Sequence, residues 1–110
     1  MPLVSMLSEL KKAQEEHYAV PLFDTFEMNG FEGTLAALEE MQSPGIIGIV
    51  PSTLELPEAR AFINYVRIRA DDSPVPVSII LDHGTSFEQC VKILNYGATD
   101  VMFDGGHQLP

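Results

Sequence analysis

Asp82 and His83 stand together just after a mostly apolar run, residues 75–81, and directly before Gly84. A carboxylate and an imidazole are costly to bury without partners. Histidine is the commonest metal-binding side chain, and an adjacent aspartate can donate a proton or hold a substrate hydroxyl. The plain alternative is that Asp82 caps a turn and His83 is an ordinary surface residue. A second group follows at Asp104-Gly105-Gly106-His107, 22 residues after Asp82, one strand–helix unit later. Neighbouring strands would present Asp82 and Asp104 on one rim. The glycines let backbone approach a ligand closely, although a glycine-rich turn with a capping aspartate would look the same. His107 reads as an exposed residue. His17 precedes the first strand and so belongs to the opposite, stability face. Cys90 reads as a small buried hydrophobe within an amphipathic helix.

The elements that position these groups follow from hydrophobic period. Ser5 is expected to cap a helix through Glu16, with Leu7, Leu10 and Ala13 on one face. Residues 18–23 form a short apolar run containing Pro21, expected as a strand with one weak position. Leu35, Leu38 and Met41 repeat at helical spacing, before the break at Ser43-Pro44-Gly45. Residues 46–50 are apolar without alternation, as in a strand buried on both faces. Pro57 is placed for the first turn of the next helix, in which Ala59, Phe62, Ile63 and Val66 form the apolar stripe. Arg67 and Arg69 sit near its end, where the helix dipole favours cations. Residues 75–81 are the second clearly buried strand. Thr85-Ser86-Phe87-Glu88 reads as a capping box, with Phe87, Val91 and Leu94 as the stripe packed behind it. Gly97 is a natural helix stop, and residues 100–103 give a last strand.

The order is a leading helix followed by β-α-β-α-β-α-β, so the fold class is α/β with a parallel sheet and right-handed crossovers. Two architectures fit: an open doubly wound sheet, or part of a (β/α)8 barrel. Both place chemistry after strand C-terminal ends, which here are Phe23-Asp24, Val50-Pro51-Ser52 and Asp82-His83-Gly84. A full barrel needs roughly 250 residues, and this chain has 110.

Bulk properties narrow the partners. Hydrophobic residues make up 45% of the chain, enough for one packed core. Six Lys and Arg against 16 Asp and Glu give a net charge of -10. That balance argues against nucleic acid or an anionic membrane as partner. There is one cysteine and so no internal disulfide, which fits a reducing cytoplasm. No signal peptide and no run near the ~20 apolar residues of a membrane span is evident.

These residues resemble a known family. Met1-Pro2-Leu3-Val4-Ser5, Tyr18-Ala19-Val20-Pro21, Ser43-Pro44, Leu81-Asp82-His83-Gly84 and Met102-Phe103-Asp104-Gly105 occur in the order and spacing of class II fructose- and tagatose-bisphosphate aldolases. The resemblance runs along essentially the whole chain and covers roughly the first two-fifths of the family's barrel, through the fourth strand. It implies that residues 1–110 are one partial (β/α)8 barrel domain of about four βα units. It also implies a cytoplasmic, zinc-dependent lyase of carbohydrate metabolism and glycolysis. Such an enzyme reversibly cleaves a ketose phosphate or bisphosphate to dihydroxyacetone phosphate and an aldehyde, zinc polarising the ketone. On that resemblance His83 matches the first catalytic-zinc ligand. Asp82 matches the proton donor at the aldehyde or C4 oxygen. Asp104 matches a ligand of a second divalent-cation position. The implied partners are a phosphorylated sugar and further copies of the same chain, as a homo-oligomer.

Three departures from the family pattern bear on this. The remaining zinc histidines and the phosphate loops belong to later strands, and one protein ligand cannot make a three-ligand zinc site. The family's usual Asn is Asp24 here, and its usual Ser is Val50. Those positions help hold the phosphate of the aldehyde half, which suggests an aldehyde without a far-end phosphate, with Asp24 and Ser52 as substrate-binding residues. Gly106 replaces the usual Ser after Asp-Gly. Two other functions compete: a degenerate, non-catalytic barrel fragment serving as an interaction module, and a freestanding flavodoxin-like sheet binding a small anion. Asp24 and Glu27 disfavour the last, because they put negative charge where a phosphate cradle would be.

Overall fold

A computed structural model describes residues 3–106. In chain order its elements are α1 (Leu7–Glu16), β1 (Leu22–Asp24), α2 (Met28–Glu40), β2 (Gly45–Ile49), α3 (Pro51–Leu54), α4 (Ala59–Asp71), β3 (Val77–Gly84), α5 (Phe87–Tyr96) and β4 (Asp100–Phe103). The four strands form one sheet in the order β1-β2-β3-β4, and every neighbouring pair is parallel. Of the two architectures the pattern allows, this order selects the barrel type. A doubly wound sheet reverses its strand order at a switch point, and here sequence order and spatial order coincide.

Alternation along the strands divides the sheet into two faces. Ile47, Ile49, Val77, Ile79 and Leu81 are buried in one cluster with Phe31, Leu35 and Leu38 of α2, Leu54 of α3, Phe62, Ile63 and Val66 of α4, and Ile93 of α5. The core therefore lies between sheet and helices. All five β2 residues are buried, as a non-alternating apolar run requires. The outer strands differ. Leu22 and Phe23 on β1, and Val101 and Phe103 on β4, are exposed, since each strand has a neighbour on one side only.

The segment before α1 crosses the N-terminal end of the sheet. Leu3 bridges Val77 in parallel, Val4 N donates to Val77 O at 3.0 Å, and the buried Ser78 hydroxyl donates to Val4 O. Ser5 does not cap α1. Its hydroxyl donates to Asp100 Oδ1 at 3.0 Å, and Met6 takes the N-cap position without a side-chain cap. The hydroxyl's hydrogen goes to β4, and its oxygen accepts only at 3.5 Å from Leu7 N, the first amide of the helix. Of the expected α1 face only Ala13 is buried; Leu7 and Leu10 are exposed. Met41 is likewise exposed, while Leu35 and Leu38 are buried.

Three further differences concern helix starts and faces. The proline at a helix start is Pro51, which opens the short α3; Pro57 lies two residues before α4. The cap of α5 is shifted by one residue. Ser86 Oγ accepts from Gln89 N at 3.2 Å, and the Gln89 side chain accepts from Thr85 N at 2.8 Å, a reciprocal capping pair. Phe87, Val91 and Leu94 form an apolar face, but it points outward, with Phe87 76% exposed. Ile93 is the buried residue of α5, and Cys90 is half-buried against the core. Period identifies an apolar face without saying what covers it, and this one flanks the sheet's outer strand β4. Gly97 ends α5 at φ 113°, as a left-handed C-cap favours glycine.

Candidate active site

Four of the five residues singled out from the sequence come together at the C-terminal ends of the strands. Asp24 is the last residue of β1. Asp82 and His83 lie near the end of β3, which runs on to Gly84, and Asp104 follows β4 directly. The fifth, Ser52, stands exposed on α3 and makes no hydrogen bond to the other four.

His83 is held by backbone and side chain together. The pairing of β3 with β4 slips between Leu81 and Gly84, a bulge-type irregularity. Within it His83 takes φ 58°. A left-handed conformation in a non-glycine residue costs on the order of 1–2 kcal/mol. Bulges of this kind re-aim side chains next to active sites. The imidazole is thereby directed to Asp104, with Nδ1 to Oδ2 at 2.9 Å. Its Nε2 lies 3.8 Å from Asp82 Oδ1, beyond ordinary hydrogen-bond length. When Nδ1 donates to Asp104, Nε2 keeps its lone pair. A carboxylate on one ring nitrogen fixing the tautomer of the other is the usual support of a metal-binding histidine. The Asp104 bond, and next the charge of Asp82, raise the imidazole above its ordinary pKa. Asp104 is itself fixed by its own loop, Oδ1 accepting from Gly106 N at 2.9 Å.

Asp82 is buried, at 9% exposure, and Asp24 reaches it across β2. The residue of β2 paired with Asp24 is Gly48. A Cβ there would collide with Asp24 Oδ1 and with the Leu22 side chain, so glycine is what lets the carboxylate lie over the strand. The Asp24 carboxyl comes within hydrogen-bonding reach of the Asp82 carboxyl. Partial desolvation, then that bond and the charge of Asp82, push Asp24 above the usual carboxylate range, against an opposing pull from His83. Neither the Asp24–Asp82 approach nor the left-handed His83 was evident from the sequence; Gly48, inside a fully buried strand, was the one available signal.

His17 sits in the left-handed C-cap of α1, before β1 and away from this rim. His107 lies outside the described residues. Among the described residues no group of three His, Cys, Asp or Glu is placed to hold a metal ion. The donors present fit part of a zinc site: one oriented imidazole with a usable nitrogen, and flanking carboxylates.

The model of the class II fructose-bisphosphate aldolase family matches residues 4–109. The chain belongs to the class II fructose-bisphosphate aldolase family. A fructose-bisphosphate aldolase of Thermus caldophilus is 39% identical over 106 residues, covering 96% of this chain and 34% of that protein. A 6-phospho-5-dehydro-2-deoxy-D-gluconate aldolase of Halalkalibacterium halodurans is 34% identical over 111 residues, covering 97% of this chain and 38% of that protein. The structure of the YdjI aldolase from Escherichia coli K12 matches with a TM-score of 0.90 at 26% identity, over 96% of this chain and 40% of that one. The chain thus spans less than half the length of the relatives it matches. Its four-stranded parallel sheet is the corresponding part of their TIM barrel. The names of these relatives differ in the sugar.

Proposed function

We propose that the complete protein is a zinc-dependent class II aldolase that cleaves a ketose phosphate to dihydroxyacetone phosphate and an aldehyde. One observation carries the reading: at a strand-end rim, His83 is oriented through Nδ1 by Asp104 and keeps Nε2 available, beside a buried Asp82. In this reading His83 is one zinc ligand and Asp104 is its orienting partner as well as a donor to a second divalent cation. Bound zinc would supply polarisation of the substrate ketone. Asp82 moves the proton. In cleavage the C3–C4 bond breaks, the C4 hydroxyl gives its proton to Asp82 as C4 becomes the aldehyde, and the bonding pair passes to C3, which takes up a proton from water. In condensation Asp82 returns its proton to the aldehyde oxygen. Asp24, lying over Gly48, is the neighbouring carboxyl. Ser52, exposed on α3, can contact the distal part of the aldehyde.

The second reading is a non-catalytic barrel piece serving as an interaction module. It draws on the lack of any three-donor group among the described residues, and on the uncovered apolar face of α5. Zinc titration separates the two. The complete protein is expected to bind zinc tightly and stoichiometrically, and residues 1–110 alone weakly. A complete protein that fails to retain zinc or to release dihydroxyacetone phosphate from any ketose phosphate would favour the module. Residues 1–110 alone are expected to self-associate through the outer strands and α5, and light scattering showing a monodisperse monomer would count against that. We place the enzyme in the cytoplasm as a homo-oligomer; among the described residues no helix is long and apolar enough to cross a membrane.

A further inference from the structure

A groove between α4 and α5 departs from the acidic character of the chain. Its volume is about 710 Å³. Arg60, Asn64 and Arg67 form the α4 wall, at i, i+4 and i+7 on one helix face. Asn95, Tyr96 and Gly97, at the C-terminal end of α5, form the other wall. Among the described residues no Asp or Glu lines it, although the chain carries 16 of them against six Lys and Arg. Arg69 and Lys92 are paired with Glu32 and Glu55. Arg60 and Arg67 have no carboxylate partner among the described residues. The helix α4 joins β2 to β3, and α5 joins β3 to β4. Both walls therefore pack on adjacent strands, and the groove is not an edge left by the open sides of the sheet.

Arg60 stands in the first turn of α4, where the helix dipole disfavours a cation. Arg67 lies against Gly97, where an added Cβ would come within 2.6 Å of Arg67 Cδ. The C-terminal end of α5 helps hold its charge there. Arg67 Nη2 donates to Asn64 Oδ1 at 2.9 Å, which leaves the Asn64 NH2 group as a donor. We propose that this groove is a second binding site, for a small phosphate monoester with a hydroxylated body. Such an ester brings about two negative charges and three terminal oxygens. That is enough to engage both guanidiniums, whose paired N–H groups match phosphate oxygens. The Asn95 amide and the Tyr96 hydroxyl are left for the hydroxyls of the body. The α5 wall directly precedes β4, at the end of the sheet opposite to the rim of Asp82 and His83. The site is thus additional to the catalytic one and independent of the aldolase reading.

The test is calorimetric titration of the complete protein with glucose 6-phosphate, inorganic phosphate and glucose. Glucose 6-phosphate is expected to bind, with inorganic phosphate weaker and glucose silent. Arg60→Gln should weaken the ester's Kd by about tenfold, and Arg67→Gln should do the same. Any share bound at the catalytic rim is common to wild type and variants, so the difference reads the groove. Arg60 is exposed, so Arg60→Gln alone carries the test if the Arg67 variant fails to fold. Equal ester affinity in wild type and Arg60→Gln overturns the proposal, as does a wild type that binds no ester. Inorganic phosphate binding as tightly as the ester overturns the assignment of an organic ligand. Absence of ester binding, with a smaller assembly for Arg60→Gln in light scattering, overturns the proposal and gives the groove to an acidic surface of a second copy.

Discussion

The imidazole Nδ1 of His83 and the carboxylate Oδ2 of Asp104 are 2.9 Å apart, joining the ends of β3 and β4. The bond spans a slipped register, and His83 holds a left-handed backbone to make it. Asp104 thus decides which way the ring faces and which nitrogen stays open.

Asp104→Asn should therefore weaken metal binding in the complete protein without unfolding it. Losing an orienting carboxylate of this kind costs about 10–100-fold in metal affinity. Competition with a zinc chelator measures it. Unchanged affinity would mean that His83 is oriented by something else.

Gly48→Ala tests the seat of Asp24. The new methyl group would collide with the Asp24 carboxylate and with Leu22. Overpacking of this kind costs about 1–3 kcal/mol. Denaturant melts should show that loss. A variant as stable as wild type would show that Asp24 does not depend on the gap at Gly48.

A polar link between α2 and α4 sets an acid-limb dependence. Glu32 accepts from Arg69 Nε at 2.7 Å and Nη2 at 2.9 Å, and from Tyr65 OH at 2.6 Å. The Arg69 bond first, and then the Tyr65 bond, lower the Glu32 carboxyl from 4.5 to about 2. A depressed folded value means that the contribution is complete above 4.5 and is lost as pH falls toward about 2. Both charged side chains are partly exposed, so it should stay near or below about 1 kcal/mol. The Tm difference between wild type and Arg69→Met should be larger at neutral pH than in the acid window. An equal difference at both would contradict the assignment.

Thr25 offers a control next to the site. It is buried, and its hydroxyl has no hydrogen-bond partner among the described residues. Thr25→Val should be neutral or stabilising by up to about 1 kcal/mol, because the isosteric change removes an unsatisfied polar group. A loss greater than that in the complete protein would reveal a partner supplied from outside these residues.

The rim was legible where strand pattern and chemistry coincide. Asp82-His83-Gly84 follows a buried run, and Asp104 falls one unit later, so their shared edge could be read from spacing. The core-facing residues of β2, β3 and α4 were legible for the same reason: their periods state which residues are buried. Contacts that depend on tertiary approach were not. Nothing local to Asp24 says that a glycine on the next strand lets it reach Asp82. Ser5 has the type and place of an N-cap, yet binds Asp100 on β4. The α5 stripe has the right period for a core and remains uncovered, because what would cover it is not encoded in the helix.

Retro-aldol cleavage of fructose 1-phosphate shows whether Asp82 transfers the proton at a site where His83 binds zinc, with release of dihydroxyacetone phosphate followed in the complete protein, its Asp82→Asn variant and its His83→Ala variant, and zinc content measured on each. Asp82→Asn is expected to keep its zinc and lose about 10²–10⁴-fold in kcat, while His83→Ala loses zinc and activity together. Wild-type cleavage by Asp82→Asn, or full zinc retention by His83→Ala, would contradict it.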